Sequence, residues 1–190
     1  MTTKAVRAFA AVLMVLFAAG CGYNTIQTYD EQVNAAASQI KVQLQRRADL
    51  IPNLVETVKA YAKQEQTVFT EVAEARAKLA GAVQSGDLQQ MAQANAQLTA
   101  PLGRLLAIAE SYPQLKSNEN FRALQDQLEG TENRIAVARQ DYNETVNRYN
   151  AYIRRFPQVL TAKVLGKGPR PYFQLETPGA AQAPKVDFSK

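Results

Sequence analysis

The sequence predicts an all-α fold, an elongated antiparallel up-down bundle of three to four long helices. Apolar residues recur every seven positions through most of the chain, which places them along one face of each helix. Short polar turns separate the periodic segments, and short connections make neighbouring helices antiparallel. The chain of 190 residues is 46% hydrophobic, so one domain with a sizeable core is expected.

The first twenty residues predict a leader peptide. Lys4 and Arg7 give a basic start, and residues 8–19 form an uncharged apolar run. This run is shorter than the roughly 20 residues that a membrane-spanning helix needs, and it has the length of a signal-peptide core. Small residues 18–20 then lead directly into Cys21, the only cysteine of the chain, in an arrangement that resembles a bacterial lipobox.

We therefore expect a lipoprotein signal peptide over residues 1–20 and lipid attachment at Cys21. Stable anchoring takes about two acyl chains, which a lipidated cysteine supplies, and a lone cysteine cannot form an internal disulfide. An uncleaved short anchor and an incidental cysteine in an ordinary signal are the alternatives. The expected location is the bacterial cell envelope, outside the cytoplasm. The residue after Cys21 is Gly22 and not the aspartate that retains lipoproteins in the inner membrane. Attachment to the outer membrane, facing the periplasm, is therefore expected if the host has two membranes.

Residues 21–28 are expected to be a short membrane-proximal linker, and residues 29–165 to form the helical bundle. Pro52 lies inside the first periodic run and should kink that helix or begin a second one. Gly81, Ser85 and Gly86 are expected to end the run. The apolar positions of this half are Val33, Ile40, Leu44, Ile51, Val58, Val72 and Leu79, with Val55, Ala62 and Phe69 in the interleaved row.

The second half predicts two further helices. Asp87 is expected to cap a segment that Pro101 bends, and Ser117 to cap the next, which Pro157 ends. The helix that follows Ser117 is expected over residues 118–156, a length of about 58 Å. The rows are Met91, Leu98, Leu105 and Tyr112 in the first segment, and Phe121, Leu128, Ile135, Tyr142, Tyr149 and Phe156 in the second, with Leu124, Thr131, Ala138, Thr145 and Tyr152 between the latter. Residues 166–190 are expected to be an extended or disordered tail.

The composition excludes several kinds of site. Histidine is absent and the cysteine is expected to be lipidated, which removes zinc and copper sites, Cys–His or Ser–His catalysis and a histidine pH switch. No metal, cofactor or catalytic residue is therefore predicted. Without Lys4 and Arg7 the formal charge falls from +5 to +3, and no block of basic residues remains, so nucleic-acid binding is not expected.

The seven-residue repeats indicate only a helical bundle, but two stretches of the sequence are more informative. These are QLQRRADLIPNLVETVKAYAKQE (43–65) and YPQLKSNENFRALQDQLEGTENRIAVARQDYNETVNRYNAYIRRFP (112–157). With Tyr23-Asn24 they resemble the LemA family over most of the mature chain. The resemblance implies an all-α antiparallel bundle on the bacterial envelope, in a family of poorly defined activity. Family members usually begin with an uncleaved membrane helix and many carry histidine where this chain has Gln64.

Polar residues in both stretches are candidate site residues. In RRADLIPN they surround Pro52, and a kinked helix frees carbonyl groups that arginine and asparagine side chains can satisfy. In YNETVNRYN, asparagines share one helix face beside two tyrosines of the apolar row. The candidates are Arg46, Arg47, Asp49, Asn53, Glu56, Asn133, Arg139, Tyr142, Asn143, Asn147, Tyr149 and Asn150.

Two interpretations of these residues are open. They form a structural polar network with buried side-chain hydrogen bonds, or they form a face that binds a partner. The expected function is a lipid-anchored, non-catalytic protein-interaction scaffold or accessory module at the membrane surface, with an unidentified envelope protein as partner. A self-associating protein that organises the membrane is the alternative, and an enzyme of unrecognised type is the third.

Overall fold

The computed structural model describes residues 3–173, with side chains from Gly22 onwards. Over this range the chain forms six helices and no strand, which confirms the all-α prediction. Four of the six are long, as expected. The helices are α1 (Thr3–Lys59), α2 (Gln66–Ser85), α3 (Leu88–Glu110), α4 (Pro113–Lys116), α5 (Glu119–Ile153) and α6 (Gln158–Val164).

The described chain divides into two compact units. Unit 1 takes residues 3–43 and 132–173, and unit 2 takes residues 44–131. Helices α1 and α5 each contribute to both units. No helix among the described residues has both the length and the apolar character that crossing a membrane requires.

Within unit 2, successive helices run antiparallel. At one end of the α2–α3 pair, Arg104 forms an ion pair of 2.5 Å with Glu71. At the other end, Ser85 and Gln90 are hydrogen-bonded across the turn. Unit 1 shows the same relation between α1 and α5, because Tyr29 contacts the ring of Tyr152 while Gln43 accepts a hydrogen bond from Arg134. The short connections thus produce the up-down order that the sequence predicts.

The core lies where the seven-residue rows place it. Most of the predicted apolar positions are buried, including Leu44, Ile51, Val58, Val72, Leu79, Met91, Leu98, Leu105, Phe121, Leu128, Ile135, Tyr142 and Tyr149. Phe156 is an exception: its side chain is 80% exposed, so its predicted place in the apolar row is wrong. The reason is that α5 ends at Ile153, which leaves Phe156 in the following turn.

Neither proline breaks its helix. Pro52 lies inside α1 and Pro101 inside α3, and the first interruption falls at residues 60–65. Gly81 lies within α2, so the expectation that it ends the run is wrong. Gly86, with a φ of 74°, ends α2 in the left-handed conformation that glycine adopts without strain.

The helix caps agree with the sequence at one of two predicted positions. Asp87 caps α3 by accepting hydrogen bonds from the main-chain N–H groups of Gln89 (2.8 Å) and Gln90 (3.2 Å). Ser117 does not cap α5. Instead, Asn118 Oδ1 accepts the N–H of Phe121 at 3.0 Å, because α5 begins one residue later than predicted.

Both ends of the predicted bundle differ from expectation. Residues 21–28 belong to α1 rather than to a linker, since Ile26 continues the buried row of Val33 and Ile40. Beyond Pro157, where the helical pattern fades in the sequence, α6 adds about two further turns of helix. Residues 167–173 follow it without helix or strand, and the rest of the predicted tail lies outside the described residues.

Candidate functional site

The YNETVNRYN stretch of α5 binds the main chain of residues 167–173, which we call the extended segment. Asn150 Nδ2 donates to the carbonyl of Arg170 at 2.9 Å, and Asn150 Oδ1 accepts the N–H of the same residue at 2.8 Å. Asn143 does the same at Phe173, with distances of 3.1 Å to the carbonyl and 2.7 Å from the N–H. Each asparagine therefore satisfies both main-chain polar groups of one residue, as a neighbouring β-strand would.

The two tyrosines of the stretch repeat this spacing. Tyr142 donates its hydroxyl to the carbonyl of Pro171 at 3.0 Å, and Tyr149 donates to that of Gly168 at 3.2 Å. Both rings are buried, and burial raises the pKa of both phenols, so both stay protonated donors at neutral pH. Tyrosine and asparagine side chains thus act together along the whole extended segment.

The regular spacing has a geometric cause. Seven residues of α-helix rise about 10.5 Å, and three residues of extended chain rise about 10 Å. Partners seven apart on α5 therefore match partners three apart on the extended segment: Tyr142 and Tyr149 reach residues 171 and 168, and Asn143 and Asn150 reach residues 173 and 170. The order is reversed, so the segment runs antiparallel to α5.

Ion pairs tie the same segment to α1. Lys167 Nζ lies 2.6 Å from Asp30 Oδ2, and Arg170 Nη2 lies 2.7 Å from Asp30 Oδ1. The Asp30 side chain is only 9% exposed. Burial by itself raises the pKa of Asp30, but hydrogen bonds and charge from Lys167 and Arg170 outweigh burial, and the pKa lies below its ordinary value of 3.8. The pKa of Arg170 is raised, chiefly by its hydrogen bond to Asp30.

Two more of the predicted residues contact the end of the extended segment, and a third does not. The guanidinium carbon of Arg139 lies 5.2 Å from the centre of the Phe173 ring, a cation–π distance. Asn147 accepts a bond of 3.4 Å from the hydroxyl of Tyr172. Asn133 has no part in this contact: it is exposed and lines an open groove of about 480 Å³ between α1 and α5 of unit 1.

Unit 2 holds the RRADLIPN residues. Arg47 is buried and its Nη1 donates to Asn95 Oδ1 of α3 at 2.7 Å. Proline has no N–H, so Pro52 leaves the carbonyl of Ala48 without its helical donor. Arg76 Nε from α2 donates to that carbonyl at 3.0 Å. The freed carbonyl is therefore satisfied by Arg76, not by the arginines and asparagine near Pro52 as the sequence suggested.

The other residues of that stretch do not join Arg47 in the interior. Arg46, Asp49, Asn53 and Glu56 are all exposed. Asp49 accepts a bond of 2.7 Å from Gln45 on the same helix, so it does not bridge helices. Spacings of three and four residues place these side chains on one face of α1, which we call the α1 polar face.

Sequence analysis did not identify the residues that complete these contacts, namely Asp30, Arg76, Asn95, Lys167 and Arg170. One signal was present for Asp30. It lies four residues after Ile26 and three before Val33, so it occupies the apolar face of α1, where a charge needs a partner. Cys21 lies before the first described side chain, so its lipidation stays a prediction. No cluster of potential metal ligands occurs among the described residues.

Comparisons with known proteins identify a family and several relatives of this chain. The model of the LemA family matches residues 36–188. Two proteins of Paramagnetospirillum magneticum, named magnetosome proteins MamQ 2 and MamQ 1, are each 29% identical over 180 residues. Magnetosome protein MamQ of Magnetospirillum gryphiswaldense is 28% identical over 180 residues.

These alignments cover 83% of this chain and 66% of each relative, so the chain spans slightly less than two thirds of the curated relatives it matches. The family model, by contrast, extends over well more than half of this chain, from the second half of α1 through α5 and the extended segment. The chain therefore belongs to the LemA family.

Proposed function

We propose that this protein is a lipid-anchored helical-bundle protein of the bacterial cell envelope, which acts through protein contacts at the membrane surface as a scaffold or accessory module, without catalysis. The LemA relatives that are named magnetosome proteins support a membrane-associated role. The observation that carries the proposal is the α1 polar face, because the helix that contains Cys21 also presents an exposed row of polar side chains.

The candidate residues fall into two groups, those that are hydrogen-bonded within the chain and those that are exposed, and only the second group is available to a partner. The asparagines and tyrosines of α5 use their hydrogen-bonding groups on the extended segment, and Arg47 uses its group on Asn95. Arg46, Asp49, Asn53 and Glu56 instead point to solvent. A partner that binds this face would contact one guanidinium, one amide and two carboxylates, from Arg46, Asn53, Asp49 and Glu56. These groups favour a polar protein surface of complementary charge.

Crosslinking in native membranes tests the partner face. Glu56→Lys should remove the crosslinked product while leaving the melting temperature unchanged, because Glu56 is exposed. Glu74→Lys, at another exposed glutamate, which lies on α2, is the matched control and should retain the crosslinked product. If both variants crosslink like the parent, the α1 polar face is not the binding surface.

The anchor needs a separate test. Cys21→Ser should leave an unprocessed precursor, or a form that no longer enters the detergent phase on phase separation. The reason is that the thiol is the proposed site of acylation. Unchanged processing and partitioning of this variant would remove the lipid anchor from the proposal.

A second candidate is self-association that organises the membrane. It is favoured by Val137, which is 58% exposed and lines the open groove of unit 1 together with Ala36 and Gln39. Sedimentation of the purified full chain in detergent, over a range of concentrations, separates the two candidates. Only self-association predicts oligomers without a partner, and Val137→Glu should then dissociate them.

A further inference from the structure

Helix α6 lies directly beside the residue that follows Cys21. Gly22 is buried, and a Cβ atom placed on it would lie 3.2 Å from Cγ of Gln158, the first residue of α6. Both residues belong to unit 1. A membrane that holds a lipid on Cys21 would therefore also lie close to α6.

The region around α6 exposes large apolar side chains. Phe156, in the turn before α6, is 80% exposed, Leu160 is 56% exposed and Val164 is 87% exposed. Leu160 and Val164 are one helical turn apart and so share a face of α6. Tyr23, two residues after Cys21, is also 46% exposed. Isolated exposed apolar residues are ordinary, but several in one short region close to the proposed anchoring residue are typical of a contact surface.

Basic residues flank these apolar side chains. Arg154, Arg155 and Lys163 are exposed, and the ion pairs between described residues do not involve them. The sequence contains neither aspartate nor glutamate from Thr145 to Phe173, so no acidic residue of this stretch offsets their charge. Lys167 and Arg170 differ, because Asp30 neutralises them.

We propose that this surface, which comprises Phe156, Leu160 and Val164 with Arg154, Arg155 and Lys163, is a second membrane contact that docks onto an anionic bilayer. Apolar side chains beside basic ones are the combination that binds the interface of an anionic membrane: the apolar groups enter the acyl boundary and the cations meet the headgroups. The inference rests on the proposed lipid anchor, which holds α6 near the same bilayer and so raises its effective concentration there.

The consequence of two contacts is orientation. A chain held only through Cys21 could turn freely about its tether, whereas a chain held also through α6 presents unit 1 to the membrane on a fixed side. The membrane is a better match for this surface than an acidic protein groove, because the anchor already places it at the bilayer.

Tryptophan fluorescence tests the contact without background, because the chain contains no tryptophan. Phe156→Trp and Leu160→Trp report on the proposed surface. Val42→Trp is the matched control, since Val42 lies in unit 1 and is 56% exposed, as is Leu160. The full-length lipidated chain is reconstituted into vesicles of anionic phospholipid with brominated acyl chains, and flotation of each sample is measured alongside.

We expect Phe156→Trp and Leu160→Trp to show blue-shifted emission and at least twofold stronger bromine quenching than Val42→Trp. Flotation without quenching at either position overturns the second contact and leaves the anchor standing. Failure to float overturns the anchor and the second contact together. A blue shift without bromine quenching means that a second copy of the chain covers the surface, and this also overturns the proposal.

Charge reversal tests the basic residues. Arg154→Glu combined with Arg155→Glu should abolish the quenching of Phe156→Trp on anionic vesicles, while Arg122→Glu, at an exposed arginine of unit 2, should leave it intact. Equal quenching in the presence and absence of the reversal would show that the cations have no part in docking, and would overturn that part of the proposal.

Discussion

Asn150 holds Arg170 by both polar groups of its main chain, although the two residues lie on different elements. The paired bonds of 2.9 and 2.8 Å are in part shielded from solvent, and Asn150 itself is buried. An alanine at position 150 would leave the N–H and carbonyl of Arg170 without this partner. A side chain of the YNETVNRYN stretch therefore determines where the extended segment lies.

Asn150→Ala should lower the free energy of unfolding by about 1–3 kcal/mol, the usual cost of leaving buried polar groups unpaired. Urea denaturation measures this change, and hydrogen exchange at the Arg170 amide should become faster. Asn147→Ala is the control, because Asn147 is exposed and accepts only one long bond from Tyr172. If both variants are as stable as the parent, the extended segment does not depend on the asparagines.

Removing the Asp30 carboxylate should make stability less sensitive to acid. The pKa of Asp30 is lowered in the folded chain, so its contribution is present above the ordinary pKa of 3.8 and is lost as the pH falls through that value and then through the folded pKa. Asp30→Asn should cost roughly 2 kcal/mol near pH 7, and the difference from the parent should shrink below about pH 4.

The control for this pH series is Asp49→Asn, since Asp49 is exposed and is hydrogen-bonded only within its own helix. Thermal melts of all three proteins over the same pH range give the comparison. A gap between parent and Asp30→Asn that stays constant down to acid pH would mean that the carboxylate charge is not what stabilises the contact.

Arg76 and Pro52 should show coupled effects on stability. Arg76→Met removes the donor to the Ala48 carbonyl and should cost about 1 kcal/mol. In a Pro52→Ala background the new N–H at position 52 can satisfy that carbonyl, so the same change should cost less. Lys78→Met, at an exposed lysine of the same helix, corrects for helix propensity. Equal costs in both backgrounds would rule out the coupling.

The buried row of α5 should tolerate truncation poorly. Ile135 is fully buried and Leu128 nearly so, and replacing either with alanine should cost roughly 2–5 kcal/mol. Val137→Ala on the same helix is the control: at 58% exposure it should change stability by less than about 0.5 kcal/mol. Losses below that level at both buried positions would contradict the assignment of the core.

The helices and their cores were predictable because burial repeats along the chain. Leu128 and Ile135 are buried where a seven-residue step places them, and Asp87 caps α3 through contacts two and three residues away. Such local rules have definite geometry. They fail at helix ends, where a shift of one residue transfers the cap from Ser117 to Asn118 and where the end of α5 exposes Phe156.

The extended segment could not be derived in the same way. Its residues show no periodicity, and its partners on α5 and α1 are defined only once the chain has folded. An asparagine on a helix face has several candidate partners, so sequence alone leaves open whether Asn143 binds a partner or its own chain. Likewise, a carbonyl freed by Pro52 gives no indication that Arg76 is its donor.

The composition of unit 1 has a consequence for the order of assembly during synthesis. Among the described residues, unit 2 is one continuous stretch, whereas unit 1 joins the beginning of the described chain to its end, with Asp30 and Arg170 140 positions apart. Because a nascent chain grows from its N-terminus, Asp30 remains without Lys167 and Arg170 until those residues have been synthesised. A product that ends before Lys167 lacks both basic partners of Asp30 and leaves this side chain, which is only 9% exposed in the folded chain, without its ion pairs. The ion pairs of Asp30 thus form only after every helix of the described chain has been synthesised.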